Sequence, residues 1–342
     1  PEDRYAGLAP QTLLAKGPAP TLDIDDGADH DPAVLRDMAL AVEDAARSVP
    51  GVTNSEGGSA SASQAVVALS TSHGFSQANS GTRYGCGASV LAGTSGAMER
   101  DHAFRSARYL ADLEAPEEIG ARAGRRAVAR LSPQAIAGGV MPVVFDPRIG
   151  ASLIGHLIGA ISGGAIARKT SFLLDKKGAR LFDSALSIID DPHRPRGLRS
   201  RWFDGEGVAS VPARLIDDGL LPGWLMDSAA ARQLGETPTG HAGRGGGVGA
   251  SNVHLEGGSG TAAQLMADIA HGIYVTELIG QGVNPVTGDY SRGASGFVIR
   301  NGELGAPVSE ITIAGNLVDM FAALAAADDL AMHRAINVPT LR

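Results

Sequence analysis

The side chains that could bind a metal ion are scattered along this chain. Of the nine histidines, no two are four residues apart, and the closest pair, His241 and His254, are 13 positions apart. A helix grips zinc from one face when two histidines lie one turn apart, so the spacing gives no positive sign of a metal centre. Distant histidines can still meet in a folded chain, and the sequence leaves that possibility open.

The candidate nucleophiles and acids also lack a recognisable catalytic pattern. Ser295 lies in a Gly-Ala-Ser-Gly segment that falls short of a Gly-x-Ser-x-Gly elbow, which favours a turn at a strand edge. Asp190 and Asp191 would point to opposite faces of a strand, and the following Pro192 favours a turn over an acid–base pair. Cys86, between two glycines, is typical of a structural thiol. A Ser/His/Asp triad built from distant positions stays open, because triads are defined by geometry.

A glycine-rich segment at 243–249, GRGGGVG, invites comparison with phosphate-binding loops. No Lys-Ser/Thr follows it, so the phosphate-loop pattern fails and a flexible loop lining a cleft is favoured. Downstream, Val253 and Leu255 alternate with Asn252 and His254, which predicts a strand with one polar face. Such a strand could pair with an extended peptide if it lies at a sheet edge. An ordinary interior strand fits the pattern equally well.

Composition bounds the class of protein. The chain has 342 residues, 44% of them hydrophobic and 19% charged, which is ordinary for a globular protein and long enough for two domains. The net charge of -8 disfavours nucleic acid as the main partner. A single cysteine excludes a disulfide within the chain and favours a reducing, cytoplasmic compartment. The uncharged run at 149–167 contains His156, serines and glycines, which favours a buried helix over a membrane span.

Local patterns in the first part predict helices and an antiparallel sheet. The acidic, proline-rich residues 1–31 are expected to form a solvated connector. Period-two order over 52–108 predicts a meander. The expected elements are a helix from Asp31-Pro32 to about Ser48, turns at His73-Gly74 and Asn79-Ser80-Gly81, and a helix over 117–131 with a solvated basic face of Arg122, Arg125, Arg126 and Arg130.

The second part is predicted to mix strands and helices. Asp146 and Pro147 can begin a helix after the strand Val140–Phe145, and Gly155, Gly159 and Gly163 on that helix suggest a close packing face. The other expected elements are strands at 181–189, 273–277, 296–300 and 308–314, a hairpin of 211–217 with 220–226, helices at 228–234, 261–271 and 317–326, a turn at Asn301-Gly302 and an Asn316 cap.

The stretch from Gly139 to Gly178, together with the later TGH, SNVHLEGG and TELIGQGV segments, resembles the TldD/PmbA family of metallopeptidases. In the TldD branch this helix carries a His-Glu-x-x-x-His zinc motif. Alignment on Thr170-Ser171 places Ile154, Gly155 and Gly159 at those positions, with His156 out of register. A late cysteine ligand of TldD-type relatives is also missing from AMHRAINVPTLR. Both losses are typical of the PmbA branch, also called TldE.

The resemblance implies the architecture. Family members have an N-terminal α/β domain and a larger, β-rich C-terminal domain with packed helices, so an α+β or mixed α/β fold is expected. The SPQAIAGG break at 132–139 predicts the boundary, with residues 1–135 in the first domain and 136–342 in the second. Relatives usually carry more chain ahead of the equivalent of Pro1, so this chain is expected to be a fragment that lacks the first part of that domain.

The resemblance also implies a function. The chain would be the non-metal-binding subunit of a cytosolic TldD/TldE-type peptidase, binding no cofactor itself, while a TldD-like partner holds zinc and the general base. It would complete a channel for unfolded or extended peptides and support peptide maturation, as a heterodimer or, when isolated, a homodimer. Candidate channel residues are His241, Arg244, Ser251, Asn252 and His254. The family's older label, modulator of DNA gyrase, does not imply DNA binding.

Two alternatives stay open at this stage. The first is an autonomous hydrolase that uses an unrecognised site. The second is a peptide-binding scaffold protein without a peptidase partner. Co-purification with metal analysis separates all three hypotheses.

Overall fold

The computed structural model describes residues 3–94 and 96–342, which form two packed units. The first unit is a three-stranded antiparallel sheet covered by two helices, with strand order β1-β2-β3. Its elements are α1 (Pro32–Arg47), β1 (Val52–Ser70), β2 (Ser76–Thr94), β3 (Ala97–Ala107) and α2 (Pro116–Ala129). The helices touch closely at Gly120, where a Cβ would lie 2.1 Å from the Val42 carbonyl oxygen, so only glycine fits.

The predicted helices and the meander of the first unit are confirmed, but one predicted turn is wrong. Asp31 caps α1 by accepting a hydrogen bond from the Ala33 amide, and the chain reverses near Gly74 as expected. Residues 79–81 instead lie inside β2, paired with residues 65–67 of β1. Turn-forming residue types were overridden there by the continuous register of two long strands.

The second unit contains two four-stranded sheets, with orders β10-β9-β8-β4 and β11-β7-β5-β6. Its strands are β4 (Val143–Phe145), β5 (Ser187–Asp190), β6 (Ala213–Ile216), β7 (Val253–Glu256), β8 (His271–Ile279), β9 (Asp289–Arg300), β10 (Glu303–Asn316) and β11 (Ile336–Asn337). Its helices are α3 (Pro147–Ala160), α4 (Gly163–Ala167), α5 (Ser228–Leu234), α6 (Ala262–Met266) and α7 (Leu317–Ala322). One large core joins the sheets, and within it Phe182 stacks on Phe321 at 4.9 Å between ring centroids.

Several elements of the second unit differ in length from the sequence prediction. The strand expected over 181–189 is confined to β5, and the second strand of the expected hairpin is reduced to a bridge between Asp217 and Leu220. The helix expected to end at His271 ends at Met266, and His271 begins β8 instead. The last helix, capped by Asn316 as predicted, ends at Ala322. Contacts with distant segments determine where these elements end, because local sequence patterns define the ends of helices and strands poorly.

Inside this chain, Gly155 and Gly159 of α3 do not pack against another element, as the predicted face would require. A Cβ on Gly155 or Gly159 would meet no atom within 4 Å, whereas one on Gly163 would lie 2.4 Å from Met226 Sδ. The helix ends at Ala160 and the chain turns before α4, so Gly163 does not continue the face of the other two. Close approach is therefore a property of Gly163 alone among these three.

The N-terminal segment is not the solvated connector that its composition predicts. Within residues 3–31, Ala9, Leu14 and Ala15 are buried against Phe75 of the first unit and Phe203 of the second. The Ala15 amide also donates to the Gly207 carbonyl at 2.9 Å. The segment thus runs over the second unit before it enters α1.

Buried ion pairs join the two units at a second place, which we call the seam: Asp101, Arg130, Arg148 and Glu277. Arg148 binds Asp101 through two hydrogen bonds of 2.7 and 3.0 Å, and Arg130 reaches Glu277 at 2.6 Å. The predicted solvated face of α2 is therefore wrong for Arg130, which is buried, although Arg125 is exposed. No helix in the described ranges has the length and apolar character needed to cross a bilayer.

Candidate functional site

The outward face of α3 is the first candidate site, because the resemblance places the zinc motif there. Ile154 points into the core and is fully buried, while Gly155 and Gly159 face open space. Neither isoleucine nor glycine has a side-chain atom that can bind a metal or accept a proton. These residues do not fit a zinc site, and no group of three or more His, Cys, Asp or Glu residues within 3–94 and 96–342 could hold a metal ion.

His156 is the nearest imidazole on this helix. Its ring meets Tyr290 edge-on at 6.1 Å, and its Nε2 has no hydrogen-bond partner among the described residues. Burial, and secondarily the charge of Arg292, lowers the pKa of His156, so the ring is held neutral. It offers one polar atom but no second ligand beside it.

Of the five candidate channel residues, four lie inside the fold. His241, Ser251, Asn252 and His254 are buried, and only Arg244 is exposed. The structure brings His241 and Ser251 together at Asp190, while Asn252 and His254 have other partners. The sequence pattern showed that this region is polar but could not show that it is covered.

Asp190 organises this buried cluster. Its carboxylate contacts His241 Nε2 at 3.1 Å, accepts the Ser251 amide at 2.9 Å and is bound by the Ser251 hydroxyl. Burial alone would raise the pKa of Asp190, but the hydrogen bonds from His241 and Ser251 lower it below its usual value. The aspartate lies between serine and histidine, which is the wrong order for a nucleophile activated by a base. We therefore assign the cluster to holding the chain at 240–252.

The sequence analysis weighed Asp190 only as an acid–base pair with Asp191 and favoured a turn, although a carboxylate directly after Ile188 and Ile189 was a signal of a buried charge. The predicted turn is present at the neighbouring residue, since Asp191 accepts the His193 amide at 2.9 Å. A buried charge at the end of a strand needs partners. The sequence could not supply them, because Ser251 is 61 positions away.

Strand β7 does not lie at a sheet edge. It pairs with β5 on one side and with β11 on the other, so its backbone is not free to receive a peptide. Asn252, just before it, donates to the Asp191 carbonyl and to Ser200 Oγ at 2.8 and 2.9 Å. The interior-strand alternative is therefore correct for this segment.

The glycine-rich loop at 243–249 is a hydrogen-bonded turn, and side chains from other segments hold its two ends. The Gly243 amide donates to the Gly247 carbonyl at 2.8 Å. Below it, Asp204 accepts the Ala242 amide at 2.9 Å, and Arg201 donates to the Gly249 carbonyl at 2.7 Å. Burial raises the pKa of Asp204. The Asp-Gly pair at 204–205 is a turn signal, but the sequence could not show that Asp204 supports the loop through Ala242, 38 positions away.

The exposed side of this loop faces the ribbon formed by β1 and β2, across a groove of about 340 Å³. Ala65 and Val67 of β1 line one wall, and Gly243 and Arg244 line the other. Val67 is 56% exposed, which is unusual for a large apolar side chain beside a cleft. Of the predicted channel residues, Arg244 alone lines this groove.

Comparisons with known proteins match this architecture. Residues 25–131 match the PmbA/TldA metallopeptidase central domain and residues 138–342 the corresponding C-terminal domain. Metalloprotease PmbA of Escherichia coli O157:H7 is 43% identical over 93% of this chain and 70% of its own length. The Metalloprotease PmbA homolog of Haemophilus influenzae is 39% identical over 99% of this chain and 74% of its own.

Solved structures agree with this match. A candidate modulator of DNA gyrase from Bacteroides thetaiotaomicron superposes with a TM-score of 0.92 at 29% identity, covering all of this chain and 77% of the other. TldE from Thermococcus kodakarensis superposes with a TM-score of 0.86 at 23% identity, covering all of this chain and 79% of the other, which shows the shared fold. The predicted mixed α and β fold is confirmed. With both units matched and close sequence relatives, this chain belongs to the PmbA/TldD metallopeptidase family.

Proposed function

We propose that this chain is the non-metal-binding subunit of a cytoplasmic TldD/TldE-type peptidase, with zinc and the general base in a TldD-like partner. The proposal rests on the lack of metal-binding side chains at three positions of α3. The positions that correspond to the zinc motif hold Ile154, Gly155 and Gly159, none of which has a ligand atom. The similar proteins are named metalloproteases, so the peptidase activity of the family would be a property of the assembled pair.

The open face of α3 supports a neighbour outside this chain. Glycine in a helix interior costs roughly 1 kcal/mol relative to alanine, and nothing within the described fold needs the small size of Gly155 or Gly159. A partner chain or a bound peptide that approaches this helix would need it. The face is therefore the expected border of the shared peptide channel.

Extended peptides would bind through their backbone, because a channel for varied substrates cannot rely on side chains. The available edge is β1, which among the described strands pairs with β2 alone and lies at the outside of its sheet. Within the 19 residues of β1, Glu56 is the only charged one, so charges do little to protect this edge from pairing. A peptide added there would continue the ribbon whose face lies opposite Arg244.

Co-expression with a zinc-motif homologue from the same genome tests the proposal. We expect a stable pair that contains stoichiometric zinc and cleaves unfolded peptide in a chelator-sensitive way, and an isolated chain with neither property. Chelator-resistant cleavage by the isolated chain would instead establish an autonomous hydrolase. If the two chains do not associate, the scaffold alternative gains support.

Two matched glycine variants test the border assigned to α3. Gly159→Ala should stabilise the isolated chain by up to about 1 kcal/mol, because helix propensity improves in open space. Gly163→Ala should destabilise it by roughly 1–3 kcal/mol, because Met226 and the Leu225 carbonyl leave no room. Chemical denaturation measures both. Gly159→Leu should leave the isolated chain folded but impair assembly or cleavage, and normal activity of that variant would show that the face is free.

Arg244→Ala tests the groove. We expect slower peptide cleavage by an intact complex, and hydrogen-exchange protection of β1 when peptide is present. Arg36→Ala is the control, since Arg36 is exposed on α1 beside Asp37 and does not line the groove. Equal rates for both variants would remove the groove from substrate handling.

A further inference from the structure

A second and larger cleft, of about 610 Å³, lies between the two units. Charged residues reach it from β3, from the segment before α2, from α2, from the loop after β5 and from the segment before β11. They are Arg105, Arg108, Asp112, Glu114, Arg122, Arg194, Arg196 and Arg334. Six arginines thus face two carboxylates, in a chain whose net charge is -8.

Both carboxylates of the cleft are already neutralised. Glu114 receives Arg105 at 2.9 Å and Arg122 at 2.7 Å, so two cations share one anion. Asp112 pairs with Arg196 at 2.8 Å. Each of these three arginines therefore lines the cleft with a carboxylate already bound to it.

The other three arginines have no carboxylate within 4 Å in the described part of the chain. Arg108 donates to the carbonyls of Thr82, Gly197 and Leu198 at 2.7–3.1 Å. These contacts satisfy N–H groups but leave the positive charge without a counter-charge. Burial, as the main cause, lowers the pKa of the Arg108 guanidinium.

Arg194 and Arg334 also donate to carbonyl groups, although Asp190 and Asp191 act on Arg194, and Asp146 on Arg334, from beyond 4 Å. Arg194 donates to the Arg334 carbonyl at 3.1 Å, and Arg334 to the Arg148 carbonyl at 2.7 Å. Burial again lowers the pKa of both groups, and the neighbouring Arg105 adds to the effect at Arg334. Arg334 is exposed and Arg108 and Arg194 are half-buried, so all three charges are accessible to a ligand that enters the cleft.

We propose that this cleft binds a small anion that carries several phosphate groups and that bridges the two units through Arg108, Arg194 and Arg334. The planar guanidinium fork matches phosphate oxygens, and charge-assisted hydrogen bonds of this kind are strong. The volume is in the range of small-ligand sites. No Phe, Tyr or Trp is among the described residues that line the cleft, and His333 is the one aromatic ring among them, so we take the phosphates as the main recognised part.

Calorimetric titration of the full chain at low salt tests this proposal, with sodium tripolyphosphate as the probe. We expect saturable binding that weakens as sodium chloride is added, because salt screens the charges. A parallel titration with adenosine triphosphate shows whether the natural anion is a nucleotide. An affinity equal to that of tripolyphosphate supports recognition of the phosphates alone, and a higher affinity supports a nucleotide. Absence of binding by the wild-type chain at millimolar tripolyphosphate would overturn the proposal.

A double variant, Arg194→Gln with Arg334→Gln, locates the site. Its affinity should fall at least roughly tenfold, in line with the strength of charged hydrogen bonds. Arg36→Gln removes an equal type of charge from an exposed position on α1 and should bind like wild type. If the double variant unfolds, hydrogen exchange of the wild-type chain is measured at 194–198 and 332–334 with and without tripolyphosphate. Protection of these segments by tripolyphosphate would support the assignment. Unchanged affinity, or unchanged exchange there, contradicts the assignment.

Discussion

The seam and the larger cleft, which six arginines line, are both at the boundary between the two units. They differ in whether their charges are balanced. In the seam, Arg148 and Arg130 each meet a carboxylate at 2.6–2.7 Å. In the cleft, Arg194 and Arg334 donate to carbonyl oxygens, and Arg194 also to Met332 Sδ, with no carboxylate within 4 Å among the described residues. Arginine therefore forms ion pairs that join the two units in the seam, and it leaves an excess of positive charge in the cleft.

The pKa shifts record this difference. Burial opposes ionisation of Asp101 and Arg148, but their hydrogen bonds and mutual charge outweigh it, lowering the pKa of the acid and raising that of the base. For Arg334, partial burial and then the charge of Arg105 lower its pKa, and the carboxylate of Asp146, more than 4 Å away, does not offset them. We infer that the seam contributes to folding stability, whereas the cleft retains unbalanced charge for a ligand.

Breaking the seam should give the largest effect. Asp101→Asn leaves Arg148 buried without its anion, which should lower the free energy of unfolding by about 3–5 kcal/mol. Asp37→Asn is the control, since the exposed Asp37–Arg36 pair should contribute less than about 1 kcal/mol. Urea denaturation at neutral pH measures both. A loss below that of the control would show that the seam does not hold the units together.

Acid should weaken the seam through the same residue. The pKa of Asp101 is lower in the folded chain than its ordinary value, so its contribution is present above the unfolded pKa of roughly 4 and is lost as pH falls through the folded value. Asp190 acts in the same direction. The stability of wild type should therefore fall below about pH 4 more steeply than that of Asp101→Asn. Parallel pH profiles would contradict this account.

Neutralising the cleft should have the smallest effect on stability. Arg334→Gln removes one exposed hydrogen bond to the Arg148 carbonyl and relieves repulsion with Arg105, so the free energy of unfolding should change by less than about 1 kcal/mol in either direction. The measurement is the same denaturation used for the seam. A loss as large as that of Asp101→Asn would show that Arg334 is structural and would abolish the contrast between the two places.

Local sequence signals determined much of the secondary structure. Asp31, Asp146 and Asn316 cap the helices that their spacing predicts. The helix at 228–234 has the predicted bounds. These features involve hydrogen bonds between residues two to four positions apart, so the information they need is contained in the segment itself.

The sequence by itself also determined the family, because the match depends on residue identity. Only the tertiary structure decided which polar residues are accessible: it buried Ser251 against Asp190 and left Gly159 in open space. It also paired Arg148 with Asp101, 47 positions away, while leaving Arg334 with no carboxylate within 4 Å among the described residues. Burial and charge balance depend on which distant segments meet, and periodicity along one segment carries no information about the others.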